Sequence, residues 1–448
     1  MSKFHRLLSA AAVAAVCTLS AYSRTTTGDY ADGVFVLNEG LFGTERATIN
    51  FLDSDGAWHY RVPLTMQGSE VTLGTTGCFA TIHEGLMYVV TKKMSLLDAS
   101  VHDPSITVCD ASSMEVTAQI NNIATDGGSV AADARAILPA GELRKAYVSS
   151  TNGIYVVSLD DWSVSGPIAG TDCASAGVYN NQAGNMVLHD GRLFAVDQER
   201  GLLVIDTADD TLVKTVNNQP EGWSYGSVVQ SLDGSLWLSV SDKNGNGTTR
   251  NTIVRVNPDT YDATDIDLSD GLYAPANSWG AWTPDCFTAS PTENVLYWNG
   301  GDGPWTSGQM LFRYDIDNNT VQKVIDFTQD GNTPQPYIYG SCCRVNPNDG
   351  NIYIGVTIGA WSNNQELRVY SPDGTLVNSY PMEQNYWYPC LPVFATDGNT
   401  DGISTTTTSH DINVTARYNA NGQLIDTPQR GINILRMSDG STRKVLVR

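Results

Sequence analysis

The sequence predicts an all-β fold: a seven-bladed β-propeller closed by a C-terminal inner strand in blade one, with a small β-strand tail module behind it. Three observations lead there. A strand motif centred on an aromatic residue recurs seven times, no helical period intervenes, and the chain has a spare inner strand at its far end.

The recurring aromatics are Phe35, Tyr88, Tyr147, Phe194, Trp237, Tyr297 and Tyr353, each flanked by apolar residues. Each is followed by a five-residue run, apolar at its first and fourth positions and ending on a small polar residue. These runs are Ile49–Asp53, Ile106–Asp110, Ile154–Ser158, Leu202–Asp206, Ile253–Asn257, Leu311–Asp315 and Leu367–Ser371. A weaker third strand comes next, as in Val116–Ile120, Leu212–Val216 and Val321–Ile325. Successive aromatics stand 43 to 60 residues apart, the length of one four-stranded blade with variable loops. Strands without intervening helices exclude a doubly wound fold, and a β-solenoid would need shorter, more even coils.

Blades two to seven each have an apolar strand before the aromatic one, such as Phe79–Ile82, Met186–Leu188 and Ser227–Val229. Blade one lacks it, because Arg24 to Asp32 is polar and irregular. Leu391–Ala395 is the spare strand, and pairing it inside blade one closes the ring and removes the exposed edges. Pro392 is tolerable there because the innermost edge of a blade faces the channel and needs no partner.

The expected organisation is a leader over residues 1–23, the propeller over 31–397, a Gly/Thr-rich linker over 398–410 and the tail over 411–448. Lys3 and Arg6 precede a short apolar run from Leu7 to Ala21, the pattern of a secretory signal with cleavage after Ser23. Lipidation at Cys17 is the lesser alternative, since Val16 is a poor residue before a lipidated Cys. No later segment has the uninterrupted apolar length of a membrane-spanning helix. The expected location is therefore outside the inner membrane, at the outer membrane or cell surface, with the periplasm as the fallback.

A formal net charge of −22 repels phosphate backbones and excludes nucleic acid as a partner. Of eight Cys, seven remain once Cys17 leaves with the leader, an odd number without zinc-site spacing. Cys78, Cys286, Cys342, Cys343 and Cys390 fall in expected inner strands, where small apolar residues suit a crowded axis better than disulfides do.

Because strands alternate direction, the inter-blade connections and the loops between second and third strands emerge on one face. That face is rich in aromatics. Its inter-blade connections carry Tyr179, Trp223, Tyr225, Tyr273, Trp279, Trp282, Tyr337, Tyr339, Tyr386, Trp387 and Tyr388, and the other loops add Phe42, Trp305 and Trp361. Six of the ten Trp thus lie on one rim, whereas the opposite face has turns such as Asp55-Gly56, Asp190-Gly191, Asp233-Gly234 and Asp349-Gly350. Single loop aromatics often pack blade against blade. As a set, with Asn, Gln, Ser and Gly between them, they suit a large planar ligand or a sugar. The candidate ligand-binding residues are Trp223, Tyr225, Tyr273, Trp279, Trp282, Trp305, Tyr337, Tyr339, Trp361, Tyr386 and Trp387. Truncating Trp282 or Trp387 is expected to weaken binding with little change in stability.

No catalytic constellation stands out. His59, His83, His102, His189 and His410 have no ligand spacing, and most Asp residues occupy Asp-Gly turns. Ser231 to Trp237 resembles the aspartate box of sialidase propellers, one residue short and present once, and reads better as a hairpin. Asp242 to Gly247 and Asp397 to Gly402 match the first half of a calcium loop without its closing Glu, the twelfth positions being Ile253 and Thr408. They read as turns; structural calcium is the minor alternative, and no other cofactor is implied.

Asp411 to Arg448 reads as three short strands, Ile412–Tyr418, Ile432–Met437 and Arg443–Val447, with six Lys or Arg against three acids. That reversal of sign against an acidic chain marks a separate module. The segments Tyr418 to Gln423, Arg430 to Ile434 and Arg443 to Arg448 resemble the end of the C-terminal sorting tails on exported proteins of Bacteroidota that use type IX secretion. The opening string Gly33-Val-Phe-Val-Leu-Asn38-Glu39-Gly40-Leu-Phe42-Gly43 resembles an extracytoplasmic propeller family of the same bacteria. Some members of that family capture cobalamin and related corrinoids and pass them to an outer-membrane transporter. The resemblance implies a surface protein that captures a bulky ligand, cobalamin or a related corrinoid, on the aromatic face. A glycan-binding or glycan-cleaving propeller and a protein-binding scaffold or adhesion propeller are the alternatives.

Overall fold

The computed structural model describes residues 30–42, 44–92, 103–123, 132–172, 182–243, 249–269, 274–275, 287–300 and 308–394, and in the C-terminal segment 414–419, 423, 425, 427, 431–437 and 442–447. Seven four-stranded antiparallel sheets follow one another along residues 33–394 as the blades of a propeller.

Closure is as the spare strand requires. Pro389–Phe394 is the innermost strand of blade 1, antiparallel to Gly33–Asn38, with Phe35 opposite Val393 and Val36 opposite Pro392. The sheet continues outward through Thr48–Asp53 and Trp58–His59. Each later blade runs outward in chain order. Blade 2, for example, is Thr75–His83, Leu86–Lys92, Ile106–Asp110 and Val116–Ile120. Blade 7 is Pro336–Val345, Ile352–Ile358, Gln365–Tyr370 and Leu376–Pro381.

The recurring aromatic has a packing cause. In every blade it lies on the second strand and enters the apolar layer shared with the next blade. Phe35 packs between blades 1 and 2, with Ala80, Ile82 and Val89. Phe194 packs between blades 4 and 5, Trp237 between 5 and 6, and Tyr297 between 6 and 7. Tyr88 and Tyr147 belong to the layer joining blades 2, 3 and 4, and Tyr353 lines the layer between blades 7 and 1. A flat blade twists away from its neighbour, and one large ring per blade fills the widening gap.

The small polar residue that ends each third strand also has a defined role. The Asp53 carboxylate accepts from the backbone N–H of Asp55 and Ala57, Asp110 from Ser112 and Ser113, Asp206 from Ala208, and the Asn257 amide oxygen from Asp259 and Thr260. These bonds form the turn to the outer strand. At the inner hairpins, Glu84-Gly85 and Asp190-Gly191 both have positive φ at the two central positions, as tight hairpin turns of the right twist require.

Strands Val414–Asn419, Gly431–Met437 and Thr442–Val447 form a three-stranded antiparallel sheet in the tail, within about two residues of the expected bounds. A two-stranded hairpin, Leu64–Met66 with Ser69–Val71, lies in the connection from blade 1 to blade 2 and has no counterpart in the sequence reading. The leader, the linker and the second calcium-like string fall outside the described residues.

Cys78, Cys343 and Cys390 lie in inner strands, buried and free, and Cys109 is buried and free in the third strand of blade 2. The Cys390 thiol is 3.3 Å from the Leu37 carbonyl and 3.4 Å from that of Gly77. Burial pushes the Cys78 thiol up to about 11 and Cys109 up to about 12, so both are inert. At the axis these are packing residues.

Candidate functional site

The aromatics expected on one face separate into three groups. Tyr179, Tyr273, Trp279, Trp282 and Trp305 lie outside the described residues. Trp223, Tyr225, Tyr337 and Tyr339 are not in connecting loops: they form the upper ends of the inner strands Trp223–Gln230 and Pro336–Val345. The inner strands begin earlier than their apolar run suggests, because backbone pairing with the second strand extends to Trp223 and Pro336. Trp361, Tyr386 and Trp387 are in connections, as expected.

Burial divides them further. Tyr225 is fully buried in the layer between blades 4 and 5, and its hydroxyl donates to the Asn218 side chain at 2.7 Å. Trp223 is half-buried against the same layer. Trp387 is buried between blades 7 and 1. Its ring stacks on Tyr60 at 5.4 Å and 6°, the Arg61 guanidinium lies 5.2 Å from its centroid, and its indole N–H donates to the Glu383 carbonyl at 3.0 Å. Trp387 therefore wedges two blades together. Its replacement by Ala is expected to cost about 3–5 kcal/mol of stability, measurable by equilibrium denaturation, which replaces the small effect its loop position suggested.

Among the described aromatics of this face, the side chains that remain open are Trp361 at 51% exposure, Tyr386 at 40% and Phe42 at 40%. They converge on the seam between blades 7 and 1. The Tyr388 hydroxyl donates to the Trp361 carbonyl at 3.3 Å, the Tyr386 and Tyr388 rings are 6.1 Å apart, and Tyr388 and Tyr339 are 5.2 Å apart. The loop bearing Phe42 is tied to the same segment, since Glu39 N–H donates to the Tyr388 carbonyl at 2.9 Å and Gly40 N–H to that of Trp387 at 3.2 Å. Trp361 and Tyr388 both have left-handed backbones, φ 58° and 46°. For a bulky residue that conformation costs on the order of 1–2 kcal/mol; Trp361 is open to solvent, whereas Tyr388 is buried in the seam. Asn363 and Asn385 flank the patch with polar groups.

Beneath this patch lies a group of buried ionisable residues that no spacing rule revealed. Glu39 and Lys92 are each 1% exposed, as are Asp133 and Arg135. Tyr339 donates its hydroxyl to the Glu39 carboxylate. Burial pushes Glu39 up to about 7, against the lowering effects of Tyr339 and Lys92, and pushes Lys92 down to about 7. The signal was present in the opening string. Asn38 donates to Thr48 Oγ1 at 3.1 Å, Glu39 turns inward, and Gly40 has φ +80° with Arg46 O 2.7 Å from where a Cβ would lie. The Asn-Glu-Gly string is thus the seam itself.

The space between Phe79, Ile137, Met186, Val228, Phe287 and Arg344 has room for about one water. On the lower face, His189, Asp190 and Asp259 are the one metal-ligand-like group among the described residues. His189 Nδ1 lies 2.7 Å from the Gln230 amide nitrogen, which fixes the ring at the base of blades 4 and 5. Ser231 Oγ donates to Asp233 at 2.6 Å and accepts from the Trp237 indole at 3.0 Å, so the aspartate-box-like string closes the hairpin of blade 5.

The fold and this site define a class: a closed seven-bladed propeller with an open aromatic rim on one face and packed polar turns on the other. Within that class the chain belongs to the family described as a domain of unknown function, DUF5074, whose profile matches residues 32–395. Among curated proteins none matches. Similar solved structures include puromycin hydrolase carrying S511A in complex with PGG, at 13% identity and TM-score 0.51, covering 91% of this chain and 57% of that one. Another is the extracellular domain of the hybrid two-component system BT4673 from B. thetaiotaomicron, at 13% identity and TM-score 0.47, covering 86% of this chain. The chain spans 39% of the length of that structure. No helix among the described residues is long and apolar enough to cross a membrane.

Proposed function

We propose that this protein is an exported surface binding protein of Bacteroidota that captures a bulky ligand, cobalamin or a related corrinoid, on its upper face for delivery to an outer-membrane transporter. One observation carries the reading: among the described aromatics of that face, Trp361, Tyr386 and Phe42 stay open at the blade 7/1 seam while Tyr225, Tyr339, Trp387 and Tyr388 are buried. Aromatic rings, which lose few rotamers on binding, present a flat, amphipathic surface at small entropic cost, which suits a large, partly apolar ligand. A binder needs no catalytic groups. Delivery and the route of export rest on the sequence resemblance.

Sugars also stack on aromatic rings, so a glycan-binding propeller is the second reading, favoured by Asn363 and Asn385 beside the patch. Tryptophan fluorescence of the purified chain, titrated with cyanocobalamin and corrected for its absorbance, separates the two, with a glycan array run alongside. The proposal expects saturable quenching at micromolar ligand or below. An unchanged emission with cobalamin and a positive array would replace the corrinoid by a glycan.

A further inference from the structure

The open rings of the blade 7/1 seam stand beside acids, while the described cations of the seam are committed elsewhere. Thr44 and Glu45 N–H both donate to the Leu41 carbonyl, at 2.9 and 3.0 Å. That single helical turn brings Phe42 and Glu45, three residues apart, to one side of the loop. Glu45 is half-buried and acts electrostatically on the Tyr388 hydroxyl, and its carboxylate has no hydrogen bond or ion pair among the described residues. Tyr388 in turn donates to the Trp361 carbonyl at 3.3 Å and lies 6.1 Å from the Tyr386 ring. One acid thus belongs to the group formed by Phe42, Trp361 and Tyr386. Glu383, exposed, adds a second acid at the outer edge, where its carbonyl accepts from the Trp387 indole at 3.0 Å.

The cations point away from this group. Arg46 is turned toward blade 2, with Nε and Nη2 both 3.0 Å from the Asp103 carboxylate. Lys92 is buried below the rim, and the Arg61 guanidinium lies 5.2 Å from the centroid of the Trp387 ring. That last contact shows a ring of this seam already taking an organic cation. We infer that the rim holds a subsite for a small organic cation of the alkylammonium class, its alkyl groups on Trp361, Tyr386 and Phe42 and its charge met by Glu45.

The chemistry has two parts. An aromatic face is negative by its quadrupole and apolar by its surface, so it attracts the charge of an alkylammonium ion and covers its carbon atoms. A half-buried carboxylate is less hydrated and less screened than one in open water, which strengthens its attraction for a cation beside it. A neutral planar ligand would use the rings and leave Glu45 unmatched. An anion would be repelled by Glu45, by Glu383 and by the formal net charge of −22. One half-buried acid matches one positive charge, which fits a single ammonium group rather than a run of basic side chains. The inference rests on the open rim of the proposed function and adds a charge requirement to it; it does not require the corrinoid.

Choline and its uncharged isostere 3,3-dimethylbutan-1-ol test it, titrated into the purified full chain at low salt while tryptophan emission is followed. Choline should give a saturable change with a dissociation constant on the order of millimolar, and bind about three- to thirty-fold more tightly than the isostere. Raising the salt about tenfold should reduce that preference. Glu45→Gln should weaken choline several-fold, leave the isostere unchanged and remove most of the salt dependence. Should that variant fail to fold, Tyr386→Leu decides: it keeps apolar area but loses a ring face, and should weaken choline selectively. Equal affinities for the two probes in the native chain would overturn the subsite. So would the absence of any response to choline, including the case in which a trilysine peptide binds and choline does not. Cyanocobalamin titrated in parallel separates this inference from the proposed ligand. Choline selectivity without corrinoid binding sinks the ligand and keeps the subsite, whereas corrinoid binding without choline selectivity does the opposite.

Discussion

Truncating the chain after Tyr388 is expected to abolish the cooperative fold, whereas truncation after Asp397 leaves it intact. The first cut removes Pro389–Phe394, all six residues of which are buried, and opens the ring at blade 1. Phe35, Val36 and Leu37 would then lose their inner partner strand, and the layers joining blade 1 to blades 2 and 7 would lose Leu391, Val393 and Phe394. An exposed apolar sheet edge is also a template for aggregation. A propeller of this kind is held by a stability of roughly 5–15 kcal/mol, less than such a loss. Gel filtration and thermal melting of the two truncations check it; a folded monomer from the shorter one would mean that closure is dispensable.

Trp237→Ala is expected to destabilise the chain by about 3–5 kcal/mol, and Trp361→Ala by less than about 0.5 kcal/mol. Trp237 is 1% exposed, fills the layer between blades 5 and 6, meets Tyr314 edge-on at 5.3 Å and donates its indole N–H to Ser231. Truncation leaves a large cavity and deprives Ser231 of a donor. Trp361 gives most of its ring to solvent and holds a left-handed backbone that Ala tolerates no worse. Urea denaturation with extrapolation to water measures both. Equal losses would mean that the rim tryptophan is structural.

The seven blades were legible because each needs the same two things: one large ring for the gap to the next blade, and one small polar residue to turn into the outer strand. Phe194 and Asp206 show both in blade 4. Closure was legible from Leu391–Ala395, since an orphan apolar strand and an incomplete blade imply each other. The site was legible only in part. Tyr225, Tyr339 and Trp387 look like loop aromatics in the sequence, because aromatic packing at the end of a strand and aromatic display on a loop use the same residues. What separates them is the partner: Asn218 for Tyr225, Glu39 for Tyr339, Tyr60 for Trp387. The Tyr60 and Tyr339 contacts lie about 300 residues away in the chain, beyond any spacing rule. Glu39 was hidden for the opposite reason. A lone acid in an apolar string resembles the start of a loop, and its inward turn depends on Gly40 and on the closing segment.

Hydrogen exchange across the whole chain, with and without saturating cyanocobalamin, bears most directly on where the protein binds. The expected footprint is slowed exchange at 39–46, 359–364 and 385–388, the three segments that meet at the blade 7/1 seam, with the hairpin turns at 84–85, 190–191 and 233–234 unchanged. Protection confined to those lower turns, or none anywhere, would contradict a ligand held on the aromatic rim.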